Sequence, residues 1–244
     1  MKKLKIFLII SIVLNLIFIA GGINVLKNKG GMNYITQKIN KLMGKKQPDK
    51  FFPYYYDRKD LFSHLKIDNK SIVFLGDSLS DYNEWSEAFN NPNIKNRGIG
   101  GDRTAGVLGR LSEVTKGQPK KVFLLIGIND LANKESIQEI SSNYEKIINT
   151  IKSESPKTQL YVQSILPVNE KKNTALPDVT NGDIVNLNNS IKSIAKTDLV
   201  TFINLYPLFE KDGQMNPSLT TDGVHLKSHG YIIWEKAIRK YVEQ

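Results

Sequence analysis

A chain of 244 residues is one ordinary domain, or one domain with an appendage. Its 40% hydrophobic and 24% charged residues exclude collagen-like and wholly disordered readings. With no cysteine there can be no disulfide framework, Cys-based metal site, Cys nucleophile or lipoprotein anchor.

The net charge of +10 suggests an anionic partner until it is located along the chain. Residues 1–50 carry ten Lys and a single acid, Asp49, whereas residues 51–244 carry 24 basic and 23 acidic residues. A nucleic-acid-binding face is therefore not expected on the larger part. Lys2, Lys3 and Lys5 precede an uncharged apolar run, Ile6–Leu26. At about 1.5 Å per residue this run makes roughly 31 Å of helix, enough to cross a bilayer core. It has no polar face of the kind a core helix shows. Residues 1–26 are expected to be an uncleaved signal-anchor, with signal-peptide cleavage near Ala20-Gly21-Gly22 as the alternative. Residues 27–50 read as a basic juxtamembrane linker. Lysine counting alone would place the C-terminal part of the chain inside, but a short basic head before an apolar run is the layout of an export signal, and long domains translocate largely regardless of charge. Residues 51–244 are expected to lie outside the cytoplasm, attached to the membrane by one span.

From about Lys70, apolar strand-like runs alternate with helical periods. Ser71–Leu75, Lys121–Ile126, Gln159–Ile165 and Asp198–Asn204 are the strand candidates. Two of the first three are nearly continuous, which suits strands buried on both faces of a parallel sheet. Ile137, Ile140, Tyr144, Ile147, Ile148 and Ile151 predict a helix that ends before Pro156. Ile184, Leu187, Ile191 and Ile194 predict a second, and Ile233, Trp234, Ala237, Ile238 and Tyr241 a last one. Such alternation predicts a three-layer α/β domain with helices on both faces of the sheet, with its site at the carboxyl ends of the strands. The polar stretch Glu170–Gly182 is a candidate rim for a substrate cleft.

Four segments at such boundaries carry chemistry: Gly76-Asp77-Ser78-Leu79, Asn96 to Asp102 ahead of a helix, Gly127-Ile128-Asn129-Asp130, and Asp222-Gly223-Val224-His225. Ser78 at a strand end can point its hydroxyl into a cleft, where a helix N-terminus favours developing negative charge. A serine hydroxyl needs a base. Of His64, His225 and His229, His225 is the best placed, because Asp222 three residues earlier can hold its imidazole. Gly101 offers an unobstructed backbone N–H and Asn129 a side-chain amide to an oxyanion. Asp77 and Asp130 read as loop-orienting carboxylates. Arg97 and Arg103 read as structural, with an anionic substrate as the alternative. Tyr82 and Trp85 read as core aromatics, with the acyl pocket as the alternative.

The segments IVFLGDSLS, NRGIGGDRT, IGIND and DGVHLKSHGY resemble, in order, the four blocks of the SGNH (or GDSL) esterase and lipase superfamily, over roughly Tyr54 to Tyr241. The resemblance implies a flavodoxin-like sheet, Ser78 as nucleophile with Asp222 and His225, and an oxyanion hole of the Ser78 and Gly101 N–H groups with Asn129. The stretch from Asp77 through Trp85 to Leu111 is similar to the bacterial branch near platelet-activating-factor acetylhydrolase subunits and sialate O-acetylesterases. That branch implies small acyl groups, acetyl above all; the sequence leaves the alcohol portion open, with a carbohydrate or a lipid as the candidate carriers. The expected activity is hydrolysis of such esters without a metal or organic cofactor. The alternatives are an O-acetyltransferase acting on a cell-surface polysaccharide and a non-catalytic surface module.

Overall fold

Five short parallel strands form the central sheet: β1 (Ile72–Gly76), β2 (Ile94–Gly98), β3 (Lys121–Leu125), β4 (Gln159–Gln163) and β5 (Thr201–Ile203), in the order β2-β1-β3-β4-β5. The computed structural model describes residues 51–244, which form one compact unit. The expected anchor (1–26) and basic linker (27–50) lie outside the described residues. Among the described residues no helix is long and apolar enough to cross a membrane.

The strand order is that of flavodoxin-like doubly wound sheets, and both faces are covered. β1 shows why its apolar run is continuous. Val73 and Leu75 enter one core with Val122, Leu124 and Val162, while Ile72 and Phe74 enter the other with Phe123 and Tyr161. The first core is closed by α4 (Thr104–Arg110), α5 (Ser112–Thr115), α7 (Ile137–Glu154) and α8 (Asn181–Thr197). The second is closed by α3 (Trp85–Ala88), α9 (Tyr206–Phe209) and α10 (Ser228–Glu243). On that second face Phe74, Phe123 and Tyr161 occupy paired positions on neighbouring strands. Their rings stack at 5.0 and 4.7 Å, and Trp85 caps the row at 4.1 Å from Phe74.

α7 begins at Ser136, whose hydroxyl accepts the Glu139 N–H, and α8 begins at Thr180, which accepts the Asp183 N–H. Apolar residues predicted to face the core do so: Ile140, Ile147, Ile148 and Ile151 are buried along α7, and Ile184, Leu187, Ile191 and Ile194 along α8.

The structure departs from the sequence reading at three elements. β2 lies where a loop was expected to open a helix, and that helix, α4, begins only at Thr104. An edge strand with half-exposed Lys95 and Asn96 has no apolar pattern to announce it. β5 is shorter than Asp198–Asn204, because Asp198 caps α8 and Leu199 has φ of 55°. Extended pairing cannot start until that left-handed residue is passed. Finally, α1 (Pro53–His64) was not foreseen; it starts with Pro at its first position.

Candidate active site

Three of the predicted residues come from neighbouring strand ends. Ser78 follows β1 and opens the single turn α2 (Ser78–Asp81), Gly101 follows β2, and Asn129 follows β3 on α6 (Ile128–Ala132). The order of the sheet places these ends side by side, at the point where the winding reverses. Asp222 and His225 arrive from the loop before α10.

The side chains meet. Ser78 Oγ lies 3.0 Å from His225 Nε2, and His225 Nδ1 lies 2.6 Å from Asp222 Oδ2. The other carboxylate oxygen, Asp222 Oδ1, accepts the N–H groups of Val224 (2.9 Å) and His225 (2.8 Å). Burial is the largest influence on Asp222 and pushes its pKa upward. The hydrogen bonds from the His225 ring and the two N–H groups outweigh burial and hold the carboxyl below its ordinary value. An ionised Asp222 accepts from Nδ1–H, which leaves Nε2 free to accept the Ser78 proton.

Ile99 O accepts the Asp102 N–H at 3.0 Å, closing a turn with Gly100 and Gly101 at its centre. Gly101 has φ of 75°, the value required at the third position of a type II turn. One Asn129 Nδ2 hydrogen is given to Asp102 O at 2.9 Å; the amide's second hydrogen is left for another acceptor. Ser78, Gly101, Asn129 and His225 line a cavity of about 160 Å³ together with Tyr82, Ile128, Ala175, Leu176 and Val224.

Asp77 and Asp130 serve as loop-orienting groups. Asp77 Oδ1 accepts the Leu79 N–H at 3.0 Å, and Asp130 accepts both the N–H and the hydroxyl of Thr104. Burial, the main cause in each case, pushes Asp77 up to about 7 and Asp130 up to about 6. Arg97 and Arg103 are structural: Arg97 donates to the carbonyls of Asn96 and Leu65, and Arg103 pairs with Glu135 at 2.7 Å. A third arginine, Arg110, is fully buried and binds Asp102 Oδ2 through two nitrogens at 2.9 and 2.7 Å. His64 pairs with Asp60 at the surface, and His229 lies in the first turn of α10. Among the described residues no group of three or more His, Asp or Glu is placed to hold a metal ion.

Two readings change. Trp85 is core, with its Nε1–H donated to Ser80 O at 2.8 Å, but Tyr82 is 59% exposed and sits 5.2 Å from the His225 ring. The dipole expected behind Ser78 is limited, since α2 has only four residues. Ile128 and Val224 line the cavity beside residues the motifs had marked. Ala175 and Leu176 come from the polar stretch marked as a cleft rim, where nothing local singled them out.

This arrangement brings a serine, a histidine and an aspartate into hydrogen-bond contact at the strand ends of a doubly wound α/β sheet. The chain belongs to the GDSL-like Lipase/Acylhydrolase family, whose model matches residues 74–233. It is 27% identical over 185 residues to human platelet-activating factor acetylhydrolase IB subunit alpha2, covering 71% of this chain and 76% of that one. A solved Streptococcus pneumoniae protein whose name refers to platelet activating factor is 30% identical, with a TM-score of 0.70 over 85% of this chain and 97% of its own. A mutant of an acetylxylan esterase from Geobacillus stearothermophilus shares the fold, with a TM-score of 0.58 at 16% identity, covering 71% of this chain and 94% of that one.

Proposed function

We propose that the protein removes a short acyl group, acetyl first of all, from an oxygen ester by way of Ser78, His225 and Asp222. The observation that carries this is the unbroken relay from Ser78 Oγ to His225 to Asp222, facing a cavity that Gly101 and Asn129 also line. Ser78 Oγ attacks the ester carbonyl as His225 Nε2 takes its proton. The oxyanion is received by the N–H groups of Ser78 and Gly101 and by the free Asn129 amide hydrogen. Collapse expels the alcohol, which leaves with the proton from His225. Water, deprotonated by the same histidine, then attacks the acyl-enzyme; the acid departs and Ser78 is restored.

The cavity favours small acyl groups. A cavity of about 160 Å³ beside Ser78 supports a small acyl group over a long chain. The names of the human and Geobacillus proteins both refer to acetyl esters. The exposed ring of Tyr82 lines the same cavity beside His225, the group that passes its proton to the leaving alcohol. An open aromatic face suits the C–H face of a sugar ring better than it suits an alkyl chain. Residues 1–26 would tether this domain to the outer face of the membrane, within reach of acetylated surface glycans; the basic head and the uncharged run support that placement.

Acetyl, butyryl and octanoyl esters of one alcohol, tested against the full chain and Ser78→Ala, examine the reading. Turnover should fall steeply with acyl length and vanish in the variant. Equal turnover of acetyl and octanoyl esters would refute the size argument, and an active Ser78→Ala would refute the nucleophile. Acetyl appearing on an added polysaccharide rather than in water would make the enzyme a transferase.

A further inference from the structure

The oxyanion turn of this protein is built on two consecutive glycines. Its central peptide joins Gly100 to Gly101, and a peptide between two glycines can rotate between turn types with little steric resistance. Such a rotation would swing the Gly101 N–H away from the cavity. The placement of the turn therefore depends on what holds its ends, and the structure shows one carboxylate on the entering Ile99–Gly100 peptide.

Asp81 is the last residue of α2, three positions after Ser78, and its side chain is only 7% exposed. Its Oδ2 accepts two hydrogen bonds, from the Gly100 N–H at 3.0 Å and from the Tyr54 hydroxyl at 2.9 Å. Its Oδ1 lies 3.6 Å from an Arg58 guanidinium nitrogen. The Asp81 backbone is itself fixed, donating to Asp77 O at 2.9 Å and accepting from Asn96 Nδ2 at 3.1 Å. At Gly98 a Cβ would run into the Asp81 backbone, so β2 and α2 meet without slack. Phe52, just before α1, closes the outer side of the turn, with ring carbons 3.2 and 3.4 Å from where a Gly101 Cβ would stand.

We propose that Asp81 is a positioning residue of the oxyanion hole, anchoring the Ile99–Gly100 peptide that enters the turn, and with it the turn that carries Gly101, relative to Ser78, and that Tyr54 and Arg58 aim it. α1 then belongs to the catalytic machinery, although it precedes the first of the four motifs and carries no reacting group. The proposal rests on the esterase reading above. A bond from N–H to carboxylate is stronger than one to a neutral acceptor, so charge at Asp81 matters as well as shape.

The test uses the full chain and the near-isosteric Asp81→Asn, with Tyr54→Phe as a variant that removes only a hydroxyl. Asp81→Asn should lower kcat by about tenfold to a hundredfold, less than loss of a direct oxyanion donor, and leave KM nearly unchanged. Inactivation by a small organophosphonate, whose adduct on Ser78 places an oxygen in the hole, should slow in parallel. Tyr54→Phe should lower kcat less, and the double variant should be no worse than Asp81→Asn alone, because the hydroxyl acts through the carboxylate. A lowered melting temperature with wild-type kcat, or a raised KM at unchanged kcat, overturns the proposal. If the unaltered chain hydrolyses no ester, the esterase reading fails and takes this one with it. If the unaltered chain is active and Asp81→Asn turns over normally, only this proposal fails.

Discussion

Asn129→Ala separates the proposed catalytic role of Asn129 from its observed structural one. One hydrogen of the Asn129 amide holds Asp102 O at 2.9 Å, tying α6 to the oxyanion turn; the other is free to meet the oxyanion. The two roles differ in size and in observable. Losing a typical hydrogen bond costs about 0.5–1.5 kcal/mol of stability, which in a domain of this length lowers Tm by about 1–6 °C. Losing one oxyanion donor lowers kcat by about 10²–10³, equivalent to roughly 2.7–4 kcal/mol. KM should change little, because the neutral ester gains far less from that contact than the charged intermediate does. The assay is kcat and KM for a small acetyl ester, with thermal unfolding measured on the same preparation. The expected result is a small drop in Tm with a large drop in kcat. A variant destabilised by a few degrees that keeps wild-type turnover would remove Asn129 from the mechanism and leave the hole to backbone N–H groups alone.

Arg110→Met should leave Asp102 as a buried carboxylate without its partner, at a cost of about 3–5 kcal/mol and a Tm lowered by roughly 6–20 °C; a shift below about 2 °C would show that the pair is not an important tie. The raised pKa values of Asp77 and Asp130 predict a contribution to stability from these two groups that falls as pH rises. The folded state keeps their protons up to about 7 and about 6, whereas an unfolded Asp gives its proton up near 3.9. Between those limits these two groups bind more protons in the folded state, and Asp77→Asn should make the denaturant-unfolding free energy less dependent on pH in the falling direction; a difference between wild type and Asp77→Asn that does not change between about pH 4 and 7 would contradict the Asp77 assignment.

The candidate residues that the fold brings together could be read from the sequence because each sits at a boundary whose local signals are strong. Ser78 and Asn129 follow apolar runs that only a doubly buried strand explains, and Asp222 lies within one turn of His225. The helices α7, α8 and α10 were legible for a similar reason, since a stripe repeating every three or four residues reports burial directly. What the sequence could not report is anything set by contact between distant segments. β2 is a strand through pairing with β1, not through its own half-polar side chains. Tyr82 has the composition of a core residue, yet it stands in solvent beside a histidine 143 positions away along the chain. Asp81 gains its meaning only where α1, α2 and the turn after β2 converge on one carboxylate. Periodicity and spacing record a residue's own environment along the chain, whereas these roles depend on partners tens of residues apart, which the packing of the sheet brings together.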